Sequence, residues 1–169
     1  WSSDVCSSDL RTKIAPLTLD PARLADDAYL ASRGLRTLAV RMKAHEASAL
    51  KIAQWLKTRP EVATVLHPAL PECPGHAIWK RDFTGASGLF SFIHKGDAAT
   101  AAAFVDALEL FGIGSSWGGY ESLVTAPNIL ALRTATQWPA DGPVIRLHIG
   151  LEDPDDLIGD IAQALAKMT

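Results

Sequence analysis

From Asp20 to Lys57 apolar residues recur at a broadly helical spacing, with Leu35, Leu38, Met42, Ala49, Ile52 and Leu56 keeping the period. Asp20-Pro21 starts the run as a capping side chain followed by a residue whose missing N–H costs nothing in a first turn. Gly34 is predicted to break the stretch into two helices or to kink it, and Thr58-Arg59-Pro60 to end it. Glu61 to His67 is short, β-branched and closed by Pro68, which predicts a strand, and Pro68, Pro71 and Pro74 predict a loop after it. Gly88 to His94 alternates Leu89, Ser91 and Ile93 against Phe90, Phe92 and His94, the pattern of a central strand covered on both faces.

Gly96-Asp97 caps a predicted helix through Leu110, with Phe104, Leu108 and Phe111 on one face. Pro127 to Pro143 has no clear period and reads as an irregular or partly helical connection. Val144 to Gly150 is the last strand, with Ile145, Leu147 and Ile149 on one face and Val144, Arg146 and His148 on the other. Asp153-Pro154 caps a final helix whose first turn carries Asp155 and Asp156 and whose buried stripe is Leu157, Ile161, Leu165 and Met168. The order is helix, helix, strand, strand, helix, short strand, strand, helix. It predicts an α/β sandwich with a small, mainly antiparallel sheet and helices packed on one face.

Composition narrows the classes of function. The chain has 169 residues, 48% of them hydrophobic, and a formal net charge of −3. That is enough apolar material for one sizeable core, and the weak negative charge gives nucleic acid and anionic membrane nothing to hold. No apolar run approaches a membrane span and no secretory signal is visible, so a cytoplasmic protein is expected. Cys6 and Cys73 show neither metal-ligand nor disulfide spacing. Residues 1–10 repeat Ser-Ser-Asp without any period and read as a non-native leader, outside the folded domain.

Candidate chemistry gathers late in the chain. Arg146, a charge on an apolar strand, must either pair internally, with Glu121 as a partner, or face a cleft as a bidentate grip for a carboxylate. Gly114-Ser115-Ser116-Trp117-Gly118-Gly119 suits a substrate loop or a tight connection equally. His148 shares the Arg146 face and reads as a satisfied structural histidine. His45, His67, His76 and His94 are scattered without a Glu, Asp or Cys cluster, and no metal site is expected. Arg33, Arg36, Arg41 and Lys43 read as a solvated helix face, and Gly85-Ala86-Ser87-Gly88 precedes a strand rather than the helix a phosphate loop requires. No nucleophile with a base and orienting acid, and no Gly-x-Gly-x-x-Gly, is present. The residues describe a substrate grip without a reaction centre, and a free-standing amino-acid-binding module or a purely structural domain is compatible with them.

Five stretches in order carry a resemblance: Ser32-Arg33-Gly34-Leu35-Arg36-Thr37-Leu38, Cys73-Pro74-Gly75-His76, Gly88-Leu89-Phe90-Ser91-Phe92, Ser116-Trp117-Gly118-Gly119-Tyr120-Glu121-Ser122-Leu123 and Ile145-Arg146-Leu147-His148-Ile149-Gly150-Leu151-Glu152-Asp153. Over residues 12–169 the chain resembles the C-terminal part of the pyridoxal-phosphate-dependent Cys/Met metabolism (transsulfuration) enzymes. Within that family Ser116-Trp117-Gly118-Gly119-Tyr120 is most similar to the bacterial cystathionine β-lyases, since γ-acting relatives more often have Leu after the Ser.

The resemblance implies the C-terminal small domain of a fold-type-I enzyme over residues 59–169, preceded by a long helical connection over 11–58 from a large domain this chain lacks. It implies that Arg146 binds the substrate α-carboxylate, assisted by Ser116 and the backbone of Trp117. It also implies β-elimination of L-cystathionine to homocysteine, pyruvate and ammonia in methionine biosynthesis, in a cytoplasmic homo-oligomer, a tetramer in relatives. The cofactor pyridoxal 5'-phosphate, the Schiff-base lysine and the phosphate-binding residues would lie upstream, so no catalytic or cofactor-binding residue is assigned to this chain and it is expected to be inactive alone. Cystathionine γ-synthase, cystathionine γ-lyase and methionine γ-lyase are the alternatives within the family.

Overall fold

The computed structural model describes residues 21–129, 133, 135 and 142–167. Asp20, residues 1–10, Met168 and most of the segment 130–141 lie outside the described residues. The chain divides into two compact units between Val40 and Arg41. Helix α1, Pro21–Leu56, runs through that division as one 36-residue helix.

The break expected at Gly34 is absent, because a lone glycine costs a helix only about 1 kcal/mol relative to alanine and no proline accompanies it. In the first unit Tyr29, Leu30, Leu35, Leu38 and Val40 are exposed. In the second unit Ala49, Ile52, Ala53 and Leu56 are fully buried. The predicted stripe is therefore core only over its last two turns.

The second unit continues with β1 (Val62–Leu66), α2 (His76–Asp82), β2 (Leu89–His94), α3 (Ala98–Ala107), β3 (Gly112–Ile113), β4 (Leu123–Thr125), β5 (Val144–His148) and α4 (Pro154–Ala166). The five strands form one sheet in the order β1-β2-β5-β4-β3. All pairs are antiparallel except β3 with β4. Cross-strand register aligns Phe90 with Leu147 and Phe92 with Ile145, and Val124 with Leu147. These side chains, with Val65, form one face. They share a single apolar cluster with Ala49, Ile52 and Leu56 of α1, Phe104 of α3, and Leu157, Ile161 and Leu165 of α4. Helices α1, α3 and α4 thus pack on one sheet face, as the sequence predicts. Phe92 and Phe104 meet edge to face at 5.9 Å.

Helix α3 begins as expected, with the Asp97 side chain accepting from Thr100 N–H and Thr100 Oγ1 closing a capping box. It ends at Ala107 rather than Leu110 because buried Asp160 of α4 accepts the N–H groups of Glu109 and Leu110, at 2.9 and 2.8 Å, and draws the chain out of the helix. Helix α2 interrupts the predicted Pro loop. It is two turns long with no buried residue, so it leaves no apolar period to read, and left-handed Gly75 leads into it. Asp153 caps α4 as predicted, accepting from Asp155 N–H at 2.8 Å ahead of Pro154.

Candidate functional site

The sheet face opposite the core carries Arg146, flanked by Ser91 on β2 and Thr125 on β4. Beside it runs the connection from β3 to β4. These two short strands pair in parallel, so the loop between them leaves the end of β3 and returns to the start of β4, held by Gly112 N–H to Ser122 O at 3.0 Å and Gly114 N–H to Val124 O at 3.2 Å.

Four contacts tie this loop to β5 and its continuation. An Arg146 guanidinium N–H donates to the carbonyl oxygen of Ser115. Two residues along the same face, His148 Nε2 lies 3.1 Å from Gly119 O, while Gly118 N–H points at the ring, 3.2 Å from Nε2 and 3.4 Å from Nδ1. Leu151 N–H donates to Tyr120 O at 2.8 Å. Ser122 N–H and Oγ donate to Glu152 at 2.7 and 2.8 Å, and Ser122 Oγ accepts from Gly150 N–H at 2.9 Å. Gly150 is required there, since a Cβ would lie 2.2 Å from Tyr120 O. Gly118 has φ +83°, a conformation natural to glycine.

Ser116 and Trp117 are the exposed residues between the first two anchors, and Ser116 has no hydrogen bond to another described residue. Arg146 is half-buried, and its other N–H groups are uncommitted among the described residues. No ion pair joins it to Glu121, so the internal pairing weighed from sequence is not formed. Glu121 precedes β4, on the far side of the Leu123–His148 pair from Arg146. A held cation next to an exposed hydroxyl and an exposed loop backbone is suited to a small carboxylate.

His148, at the end of β5, is buried. Burial holds its imidazole below the usual histidine range; the Gly119 carbonyl and Glu152 oppose this, and His45 and Arg146 reinforce it. His45 of α1 stands behind it, ring centroids 5.4 Å apart, with Nδ1 2.8 Å from Ile149 O and 3.1 Å from Gly150 O. His67, His76 and His94 lie elsewhere: His67 packs on Phe90, His76 bonds Pro68 O, and His94 pairs across strands with Val62 of β1. Sequence reading assigned no role to Ser122 and Glu152. Their only sequence signal is an acid two residues beyond a glycine that ends a strand.

The sequence profile of the family described as Cys/Met metabolism PLP-dependent enzyme matches residues 5–166. The chain belongs to that family. It is 53% identical over 149 residues to the cystathionine beta-lyase of Salmonella typhimurium, covering 85% of this chain and 38% of that protein. It is 40% identical over 144 residues to the cystathionine gamma-lyase of Bos taurus, covering 82% of this chain and 36% of that protein. Among solved structures, metB from Corynebacterium glutamicum superposes with a TM-score of 0.76 at 39% identity, over 85% of this chain and 38% of that one. The chain therefore spans well under half the length of these Cys/Met family relatives.

Members of this family are enzymes that use pyridoxal phosphate, which is carried on a lysine amine. The described residues do not fit that cofactor. Lys43, Lys51, Lys57, Lys80, Lys95 and Lys167 are all exposed. Lys51 is paired with Asp155, Lys57 with Glu72, and Lys95 bonds Pro60 O. A lysine poised to carry the cofactor would be desolvated and free of such partners.

Proposed function

We propose that this chain is the C-terminal part of a carbon–sulfur lyase of the cystathionine β-lyase type, and that its contribution is the grip on the substrate's α-carboxylate. The parent enzyme would cleave L-cystathionine to homocysteine, pyruvate and ammonia, in the cytoplasm, as a homo-oligomer, a tetramer by family resemblance. The observation that carries this reading is the bracket around Ser116 and Trp117. Arg146 holds the loop through Ser115 O yet keeps N–H groups for a second acceptor, and Ser116 beside it is exposed.

A carboxylate seated there would take charge-assisted hydrogen bonds from the guanidinium and one from Ser116 Oγ, with the Trp117 backbone alongside. Fixing that group at two points orients the substrate's Cα–H bond and holds the β-carbon in one direction, an entropic advantage worth several orders of magnitude in rate when the geometry is right. The chain's part is binding and orientation. The exposed lysines support placing pyridoxal phosphate in the portion of the parent outside this chain.

The 40% identity to a γ-lyase supports a second reading, in which the same grip serves γ-acting chemistry. Trp117 favours the β-acting one. The experiment replaces the matching segment of the Salmonella typhimurium relative with this chain. Pyruvate release from cystathionine is the expected result. Release of 2-oxobutyrate and cysteine instead would establish the γ reading, and a folded, cofactor-loaded hybrid without either product would refute both.

A further inference from the structure

The loop that presents Ser116 and Trp117 is built from the residues least able to hold a shape. Gly118-Gly119 has no side chains to pack, and Gly118 sits at φ +83° in a region an unrestrained chain visits and leaves freely. Both glycines and Tyr120 are exposed, so packing does not fix them. Leu151 N–H holds Tyr120 O, and the two glycines are held by one buried imidazole, His148.

The two peptide groups facing that ring have opposite needs. Gly119 offers a carbonyl oxygen and requires a donor, while Gly118 offers an N–H and requires an acceptor. A neutral imidazole supplies one of each. With the proton on Nε2, Nε2–H donates to Gly119 O at 3.1 Å and Nδ1, 3.4 Å from Gly118 N against 3.2 Å for Nε2, is left as the acceptor on the ring that Gly118 N–H faces. A protonated ring would confront Gly118 N–H with a second donor. The groups facing the ring are His45 from α1, Arg146 from β5 and Glu152 beyond it, and burial, helped by His45 and Arg146 and opposed by Glu152, favours the neutral form.

Arg146 and His148 are two residues apart on one strand face, about 7 Å along β5, and each holds one point of the loop. Ser115 is held at one and Gly118-Gly119 at the other. We propose that His148 is the positioning residue of this site: its neutral ring, bonded at once to Gly118 N–H and Gly119 C=O, sets the pose of Ser116 and Trp117 against Arg146. The proposal rests on the carboxylate-grip reading. His148 itself touches no substrate atom, and His45, bonded to Ile149 O and Gly150 O behind it, keeps the end of β5 in place.

The test has two arms. In the full 169-residue chain, nitrogen-15 NMR of the His148 ring and amide hydrogen exchange at Gly118 are measured at neutral pH. A proton on Nε2 alone and a protected Gly118 amide are expected; a proton on Nδ1, or Gly118 exchange as fast as in an unfolded chain, would overturn the proposal without any variant. In the Salmonella typhimurium hybrid, His148→Leu is expected to raise KM for cystathionine roughly tenfold with kcat changed by less than about twofold. His148→Gln, which keeps one donor and one acceptor, should recover most of that loss. An unchanged KM in His148→Leu, or no recovery in His148→Gln, would overturn the role of His148. Arg146→Ala separates the layers: a raised KM there keeps the grip even if His148 fails, whereas an unchanged KM removes the grip and the proposal with it.

Discussion

Ser122 and Glu152 are joined twice, the serine N–H and Oγ each donating to a different oxygen of one carboxylate, at 2.7 and 2.8 Å. Because Ser122 Oγ also accepts from Gly150 N–H, the end of the β3–β4 loop and the end of β5 are one hydrogen-bonded unit. Ser122→Ala removes the acceptor from a buried N–H and should lower the unfolding free energy by about 1–3 kcal/mol. Urea denaturation of the variant beside the parent chain reads this directly; coincident curves would mean the triad is held by something else.

Asp160 performs a similar task at the other end of the loop's approach. It is buried in α4, accepts the N–H groups of Glu109 and Leu110, and is met by Gln163 Nε2 at 3.0 Å. Asp160→Ala should destabilise the fold by roughly 2–3 kcal/mol, since two backbone donors lose a charged acceptor. Thermal unfolding by circular dichroism would show a clearly lower midpoint, and no shift would deny Asp160 its part in ending α3.

Much of this architecture is legible in the amino-acid order, for identifiable reasons. Phe90, Phe92, Ile145 and Leu147 alternate with shorter or polar neighbours, so the core face of β2 and β5 is written in a period of two. Asp97 and Asp153 announce their helices because a capping oxygen must sit at that position. Gly34 does not divide the helix in two because a single unfavourable residue is outweighed by a long helix around it. Helix α2 is invisible because it buries nothing. At the site, Arg146 stands out as a charge among apolar residues. Its choice between Glu121 and the loop depends on register across β4, and the Ser122–Glu152 and His148–Gly119 contacts span about thirty residues of sequence.

Acid should loosen this fold through its histidines. Burial holds His67, His94 and His148 below the usual histidine range, opposed at His67 by Glu46 and at His94 by Glu61 and Asp97. With the folded value depressed, the unfolded chain binds more protons once pH drops to about 6.5, the ordinary histidine value. Stability is therefore complete above that pH and falls as pH passes through and below it. Guanidinium unfolding at about pH 7.5 and about pH 5 should give the lower midpoint at pH 5; equal midpoints would contradict the burial of these rings in neutral form.

The chain by itself is expected to carry no chemistry. Its described lysines are exposed, and two are already in ion pairs, Lys51 with Asp155 and Lys57 with Glu72. After mixing with pyridoxal phosphate and gel filtration, the protein should retain no visible-wavelength cofactor absorbance and release no pyruvate from cystathionine. Stoichiometric retention with turnover would show that the chain holds a complete site.

The central claim is that Arg146 grips the substrate carboxylate, and its most direct test is steady-state kinetics of Arg146→Ala in the Salmonella typhimurium hybrid, with cofactor content measured in the same preparation. Loss of a bidentate, charge-assisted contact should raise KM for cystathionine at least about tenfold while bound pyridoxal phosphate stays the same. An unchanged KM at full cofactor occupancy would contradict it.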